Sequence, residues 1–371
     1  MPGVDLFCRV VDNLGDIGVC WRLARQLAAS SEVAQVRLWV DDLASFQRIQ
    51  QDVRTDLSSQ DLHSVRIEHW STARRSYPAP HALLIEAFGC ELPEAVKAQI
   101  SPQEHVWINL EYLSAEPWVT GCHGLPSPQA NRAAKYFFFP GFLPGTGGLL
   151  REPDLLARRD AFLADDAAYE ALLQRLGVRQ DFRRALMTGQ MRQVFLFCYP
   201  DAPVLALSDA LAQQPYDTLL LVPDSVARRL PSLAAGRLQV QEIPHVDQAD
   251  FDALLWRSTL NIVRGEDSLV RAIWAGAPMI WQPYMQEDKA HLDKLDAWLD
   301  TTALPDPVHA LHHAWSLCDR PLAARLLAEQ LQAPALTAWR QQAGAYSTKL
   351  GLRADLAASL LTFYTQVARK R

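Results

Sequence analysis

Residues 4–28 read "VDLFCRVVDNLGDIGVCWRLARQLA" and combine three patterns. The first eight of them form a nearly continuous apolar run, which is typical of a strand covered on both faces of a parallel sheet. From Ile17 onward, apolar residues recur at helical spacing. The short segment between these two patterns is polar and rich in Asp and Gly. We therefore expect a strand, a turn and a helix, the beginning of a βαβ unit.

Strand-like runs continue along the chain in two series. Helical patterns alternate with most of them, which predicts βαβ units and parallel sheets. A charged, Ala- and Leu-rich region separates the two series, and the chain after about residue 308 is helical in pattern. The runs lie at 4–11, 36–40, 65–70, 82–88, 105–110 and 135–139 in the first series and at 194–199, 218–222, 238–243, 260–263 and 278–282 in the second.

This order predicts an α/β protein with the GT-B architecture, in which two Rossmann-like domains face each other across a cleft and helices end the chain. We expect a first domain at 1–150, a helical connector at 151–190, a second domain at 191–340 and C-terminal helices at 341–371 that pack back on the first domain. A single large doubly wound domain is the alternative. The restart of the strand series and the length of 371 residues favour two domains.

The composition argues against nucleic-acid and membrane partners. A net charge of −6 provides no basic field for phosphates, and no apolar run approaches the roughly 18 residues that span a bilayer. The first residues lack the basic start and long apolar core of a signal peptide. Six dispersed cysteines suit a reducing compartment. We expect a cytoplasmic protein.

The first group of candidate functional residues follows the first strand. In parallel α/β sheets, ligands bind beyond the carboxyl ends of the strands, and such a turn holds Asp12, Asn13, Gly15, Asp16 and Gly18. The glycines form no dinucleotide fingerprint, and the aspartates would repel a pyrophosphate. Asp16 alone could cap the helix. Since one cap is enough, the pair of aspartates favours a functional role.

A second strand–turn–helix pattern occurs in the second series. A helix that begins at Asp267 or Ser268 would offer unpaired backbone N–H groups and a partial positive charge to a diphosphate. Arg264 could pair with phosphate oxygens, Gly265 allows the backbone to come close, and Glu266 could accept from sugar or ribose hydroxyls. A capped and solvated turn is the alternative.

Other polar residues give weaker signals. Tyr199 ends a strand, where its ring could stack on a base or donate to a phosphate, and a core tyrosine is the alternative. Asp41 and Asp42 follow a strand without a metal-binding D-x-D context, so we expect no metal there. We expect solvated side chains for the three late histidines, His309, His312 and His313.

Six stretches of the chain together resemble a known family: "DLFCRVVDNLGDIGVCWRLARQLA" (5–28), "INLEYLSAEPWV" (108–119), "KYFFFPGF" (135–142), "LFCYP" (196–200), "RGEDSLVRAIWAGAPMIW" (264–281) and "HLDKLDAWL" (291–299). The family is EarP, the protein-arginine rhamnosyltransferases that modify bacterial elongation factor P. The resemblance implies an inverting, metal-independent GT-B enzyme without a cofactor. It would move L-rhamnose from dTDP-β-L-rhamnose to one arginine of elongation factor P, which activates that factor to relieve ribosome stalling at polyproline.

The resemblance also implies roles for individual residues. Asp16 takes the position of the general base, Asp12 assists it, and Glu266 is a further essential residue. Asn13, Gly15 and Gly18 complete the loop around the aspartates. The positions that bind the nucleotide sugar are Phe197, Tyr199, His245, Gln248, Arg264, Gly265, Asp267 and Ser268.

One position departs from the family's pattern. The family often reads Pro-Phe-x-Pro-Gln before the "DFD" helix, and this Phe helps to enclose the thymine. Here His245 stands at the Phe position and Asp247 replaces the second Pro, while Gln248 remains. Stacking on the base would therefore fall to His245.

Chemistry gives the paired aspartates a use. A guanidinium is effectively always protonated and is a poor nucleophile. A carboxylate with a pKa of about 4 cannot deprotonate it in the ground state. Two carboxylates can orient the group, and one accepts the proton as the C–N bond forms. Attack opposite the leaving dTDP would give an α-linked product.

The acceptor would be held by the first domain and the nucleotide by the second, with Asp16 in the cleft between them. Candidate acceptor contacts are Tyr112, Ser114 and Glu116, beyond strand ends, whereas most of 137–139 is expected to be core. Two alternatives remain open: a GT-B epimerase or small-acceptor glycosyltransferase, and a non-catalytic adaptor that binds an elongation factor. The adaptor would tolerate the loss of Asp16.

Overall fold

The chain is described by a computed structural model at residues 1–11, 14–75, 77–228, 232, 234, 236–286 and 289–370. It divides into two compact units, Met1–Glu152 with Arg353–Arg371 and Pro153–Leu352, which we call the first and the second unit. In the described residues no helix is long and apolar enough to cross a bilayer.

The elements follow one another in an α/β order. The strands are β1 (Gly3–Cys8), β2 (Gln35–Val40), β3 (Ser59–Leu62), β4 (Val65–His69), β5 (Leu83–Ala87), β6 (Val106–Leu110), β7 (Pro126–Pro128), β8 (Ala134–Phe138), β9 (Met191–Leu196), β10 (Asp217–Pro223), β11 (Leu238–Ile243), β12 (Leu260–Arg264) and β13 (Met279–Gln282). The helices are α1 (Gly15–Ala28), α2 (Leu43–Ile49), α3 (Trp70–Arg75), α4 (Glu94–Lys97), α5 (Val119–Cys122), α6 (Leu155–Leu163), α7 (Asp166–Arg175), α8 (Gln180–Met187), α9 (Val204–Ala212), α10 (Asp224–Ala227), α11 (Gln248–Arg257), α12 (Gly265–Ala275), α13 (Ala290–Asp300), α14 (Asp306–Ser316), α15 (Arg320–Gln330), α16 (Ala333–Gly351) and α17 (Leu356–Ala368).

The sheet of the first unit has the order β3-β4-β2-β1-β5-β6-β8-β7. Its six inner strands pair in parallel, and the edge strands β3 and β7 pair antiparallel. The strand order reverses between β1 and β5, and such a switch point is where open α/β sheets bind ligands. The turn after β1 therefore lies where this sheet is suited to hold a ligand.

Strand β1 is buried on both faces, which explains its nearly continuous apolar sequence. Leu6 and Cys8 belong to one core cluster together with residues of α1, and Phe7 belongs to another on the opposite face, stacked on Trp39. The C-terminal helix α17 contributes Leu360 to the first of these clusters. This packing places residues 353–371 in the first unit.

The sheet of the second unit is entirely parallel, with the order β11-β10-β9-β12-β13. Its switch point lies between β9 and β12, so the segments after these two strands share one edge. Of the segment 151–190, expected as a connector, residues 153–190 belong to this unit and contain α6, α7 and α8. Tyr169 of α7 connects them to the sheet, donating to Gln193 Oε1 of β9 at 2.7 Å.

Candidate functional site

The segment between the end of β1 and the first turn of α1, described at residues 9–11 and 14–16 and called here the acidic turn, is built around a buried carboxylate. Asp16 is 3% exposed, and its Oδ2 accepts the backbone N–H of Val11 at 2.9 Å. Helix α1 begins at Gly15 and not at Ile17, and its N-cap is Leu14, which makes no side-chain cap bond. Asp16 is therefore not the N-cap, and its carboxylate instead binds the backbone between β1 and α1 at Val11.

Tyr112 lies beside this carboxylate. Its hydroxyl donates to Asp16 Oδ1 at 3.5 Å, and its side chain is 42% exposed. The ring stacks on Phe88 with 4.6 Å between centroids and 15° between planes. Since Phe88 follows β5 and Tyr112 follows β6, the ends of three neighbouring strands meet at the acidic turn. Phe88 was not predicted, because nothing in its local sequence marks it.

The other residues expected around the turn are distributed as follows. Asp12 and Asn13 lie outside the described residues. Gly15 opens α1, and Gly18 is buried in its first turn. Ser114 is 6% exposed, and its hydroxyl donates to Glu116 Oε2 at 3.0 Å and accepts the Glu116 N–H at 3.0 Å. Ser114 and Glu116 thus form a turn of their own.

Two further groups near the strand ends have shifted pKa values. A hydrogen bond with Cys20 and burial raise the pKa of the Cys8 thiol well above its ordinary value, and Asp16 adds to the shift. Burial also raises the pKa of Glu111, against the opposing effects of Lys135 and of the Asn109 amide, which donates to it. A protonated Cys8 is unsuited to act as a nucleophile.

The segment Arg264–Ser268, called here the basic turn after Arg264, comprises the last residue of β12 and the first turn of α12, which also contains Glu266 and Asp267. The Arg264 guanidinium carbon lies 4.7 Å from the ring centre of Phe197 and 4.6 Å from that of Tyr199, so two rings after β9 hold the cation. Gly265 has a φ of +63°, and a Cβ there would lie 3.4 Å from the Tyr199 hydroxyl. Glycine therefore suits both this backbone conformation and the limited space.

Helix α12 begins at Gly265, earlier than the expected start at Asp267 or Ser268, so both of those residues lie in its first turn. The Ser268 hydroxyl accepts the Arg264 N–H at 3.1 Å and donates to the Arg264 carbonyl. Trp281 Nε1 donates to the Gly265 carbonyl at 2.8 Å. These bonds fix the backbone at the helix end whose first N–H groups have no intrahelical acceptor.

Glu266 forms an ion pair with Lys294 of α13, and the two side chains are 20% and 27% exposed. Lys294 was not predicted, because it is 28 residues away in sequence. Tyr284 was not predicted either. It is 60% exposed and meets the Tyr199 ring edge-on at 5.7 Å.

The segment before α11 approaches the same strand end. Gln248 is the first residue of α11, and Asp247 is its N-cap, accepting the Asp250 N–H at 2.8 Å. The departure from the family's Pro at 247 thus supplies a helix cap. Phe251 of α11 contacts the Phe197 ring at 5.3 Å. His245 lies between β11 and α11 and is partly buried.

The expectation of solvated late histidines is wrong for His312, which is fully buried. Its Nδ1 donates to the Val308 carbonyl at 2.9 Å, and burial lowers its pKa to about 4. His313 pairs with Asp296 at 2.8 Å. Within the described part of the chain, no group of three or more His, Cys, Asp or Glu side chains could hold a metal ion.

Comparison with known proteins identifies relatives along nearly the whole chain. The family model "Elongation-Factor P (EF-P) rhamnosyltransferase EarP" matches residues 4–365. A protein-arginine rhamnosyltransferase of Pseudomonas putida is 44% identical, covering 97% of this chain and 98% of its own. A protein of the same name from Pseudomonas aeruginosa is 42% identical, covering 98% and 99%.

Solved structures of glycosyltransferases are also similar to this chain. One, solved to explain EarP-mediated arginine glycosylation of the translation elongation factor EF-P, has a TM-score of 0.66 and 31% identity and covers 99% of each chain. The spinosyn rhamnosyltransferase SpnG, in complex with spinosyn aglycone, has a TM-score of 0.54 at 12% identity, covering 96% of this chain and 98% of its own. The second likeness concerns the fold alone. Together they confirm the expected α/β fold of the GT-B class.

Proposed function

Because the chain belongs to the EarP family of elongation factor P rhamnosyltransferases and is an enzyme that transfers rhamnose to an arginine of that factor, we propose that its donor is dTDP-β-L-rhamnose and that the reaction inverts the anomeric carbon without a metal ion. The observation that supports the inverting displacement is the Asp16 carboxylate, buried at the switch point of the first sheet and bound at Oδ2 by the Val11 N–H, whereas the donor is proposed from the family resemblance. This carboxylate is a positioned proton acceptor for a guanidinium.

On the acceptor side, Asp16 acts as the general base. A guanidinium nitrogen attacks C1 of the rhamnose, the bond from C1 to the β-phosphate oxygen breaks, and dTDP leaves with the electron pair. The proton released from the nitrogen goes to Asp16. Asp12 assists by holding another N–H of the same guanidinium, which orients it and favours localised charge. A single displacement turns the β donor into an α-linked product.

On the donor side, the basic turn binds the diphosphate. Arg264 and the N-terminus of α12, with Ser268 in its first turn, offset the charge that develops on the leaving group. Gly265 allows close approach, and Asp267 lies in the same turn. Glu266 accepts from sugar hydroxyls, with Lys294 as its counter-ion. The base and ribose are assigned to Phe197, Tyr199, His245 and Gln248.

The two units have separate tasks in this proposal. The first unit docks the folded acceptor, and Tyr112, exposed beside Asp16, is its main contact, since Ser114 and Glu116 bond to each other. The second unit holds the nucleotide sugar. Because the acceptor is a translation factor, the reaction takes place in the cytoplasm.

Intact-mass measurement of elongation factor P tests the donor. Incubation with the protein and dTDP-β-L-rhamnose should add one deoxyhexose per molecule, and chelation of metals by EDTA should not change the rate. NMR of the modified peptide should show an α-linkage. Consumption of the donor without acceptor modification would instead indicate an epimerase, and binding without any turnover would indicate an adaptor.

A further inference from the structure

We propose that Asp41 is a positioning residue for the reaction, one that fixes the backbone of the acidic turn and through it the orientation of Asp16. Asp41 follows β2, the neighbour of β1, and belongs to the aspartate pair 41–42 for which the sequence analysis found no use. The proposal rests on the proposed role of Asp16 as general base.

Two consecutive amides of the turn are each bound by a carboxylate. Asp41 Oδ1 accepts the Val10 N–H at 2.9 Å, and Asp16 Oδ2 accepts the Val11 N–H at 2.9 Å. Both amides lie beyond the last residue of β1, where the sheet no longer supplies acceptors. Fixing the first amide restrains the second, because only the φ and ψ angles of Val10 separate the two planar peptide units.

Asp41 is itself anchored to the next strand. His69 of β4 accepts the Ser71 N–H at Nδ1, 3.2 Å away, so its proton resides on Nε2, which donates to the Asp41 carbonyl at 3.1 Å. At the start of the turn, the Arg9 guanidinium lies 5.3 Å from the Trp70 ring centre. The acidic turn is thus tied to the ends of both β2 and β4.

The adjacent Asp42 has a different task. Its carboxylate caps α2, accepting the N–H groups of Ala44 and Ser45 at 2.9 and 3.0 Å. Hydrogen bonds from Ser45 lower the pKa of Asp42. Two neighbouring aspartates therefore hold two different segments, and only Asp41 binds the acidic turn. This makes Asp42 a matched control.

The positioning role predicts a specific pattern among four variants. Asp41→Ala should lower kcat about tenfold, because a misplaced general base loses reactive geometry, while dTDP affinity stays at the wild-type value. Asp41→Asn keeps an acceptor oxygen and should stay within about threefold of wild type. Asp41→Ser, too short to reach the amide, should behave like Asp41→Ala. Asp42→Ala should lower Tm by several degrees at unchanged kcat.

Rates on elongation factor P, dTDP affinity and Tm are measured for all four variants. The proposal is overturned if Asp41→Ala or Asp41→Ser turns over at the wild-type rate, or if Asp41→Asn is as slow as they are. Should Asp41→Ala fail to fold, the serine and asparagine variants decide. Asp16→Asn distinguishes a failure of this proposal from a failure of the proposed function. If Asp16→Asn is inactive and Asp41→Ala turns over normally, only the positioning role of Asp41 is refuted. If Asp16→Asn is active, the proposed general base is refuted.

Discussion

The acidic turn of the first unit and the basic turn of the second have the same place in their sheets but differ in the charged group at their centre, Asp16 in one and Arg264 in the other. Each joins a strand beside the switch point to a helix: β1 to α1 in the first unit, β12 to α12 in the second. In the acidic turn a buried carboxylate accepts a backbone N–H. In the basic turn a guanidinium lies against two aromatic rings.

The comparison teaches that the sheet determines where a ligand binds and the side chains determine which ligand it is. A buried carboxylate held in place by hydrogen bonds suits a cationic acceptor group. A cation held by ring faces, next to a helix N-terminus, suits an anionic diphosphate. In the proposed reaction the same strand–turn–helix unit serves both substrates, and variants that act on one turn alone test this division.

The largest effect is expected at the acidic turn. Asp16→Asn keeps the size of the side chain and an oxygen for the Val11 N–H, but the amide cannot accept a proton. We expect kcat to fall by about 10²–10⁴ with unchanged Tm, measured as the initial rate of elongation factor P modification by intact mass. A rate within a few-fold of wild type would remove Asp16 from the mechanism.

A smaller effect is expected beside the basic turn. Lys294→Met leaves the partly buried Glu266 carboxylate without its cation, so we expect kcat to fall roughly tenfold, because Glu266 is no longer held in place. Lys294→Arg keeps the charge and should stay within about threefold of wild type. Equal rates for the two variants would show that the ion pair does not contribute to turnover.

The smallest effect is expected on stability in acid, where the two units should lose free energy of unfolding at different pH values. Burial lowers the pKa of His312 in the second unit from 6.5 to about 4, so its stabilising contribution is full above pH 6.5 and lost as the pH falls toward 4. One pKa unit corresponds to about 1.4 kcal/mol, so the loss is roughly 3 kcal/mol. In the first unit, the pKa of Asp42 is lowered from its ordinary value of 3.8. The stability that Asp42 contributes is therefore lost only when the pH falls below 3.8.

Denaturant unfolding between pH 7 and pH 4.5 measures this difference. His312→Gln removes the titrating group and should flatten the pH dependence of the second unit's free energy of unfolding. An unchanged slope in this variant would show that His312 is not the group responsible.

The parallel strands were predictable because most are apolar runs between turn residues, while β4 and β11 alternate apolar and polar residues. Strands β3 and β7 were not, since "SQDL" and "PSP" at the sheet edges carry no apolar pattern. Helix α12 begins at Gly265, earlier than predicted, and its N-cap Arg264 makes no side-chain cap bond, so no capping residue marks this start in the sequence.

In the candidate site, residues next to strand ends were predictable and their partners were not. The rule that ligands bind beyond strand ends found Asp16 and Arg264. Lys294, Phe88 and Asp41 became candidates only through their contacts with residues distant in sequence. His312 was predicted wrongly because its helix packs in the interior of the second unit, which the local sequence does not reveal.

Calorimetric titration of dTDP into wild type, Asp16→Asn and Arg264→Ala tests the division of tasks between the two turns most directly. Because dTDP carries the diphosphate and no acceptor group, we predict wild-type affinity for Asp16→Asn and at least about tenfold weaker binding for Arg264→Ala, the loss of a charge-assisted contact. Unchanged affinity in Arg264→Ala, or an equal loss in Asp16→Asn, would contradict the account.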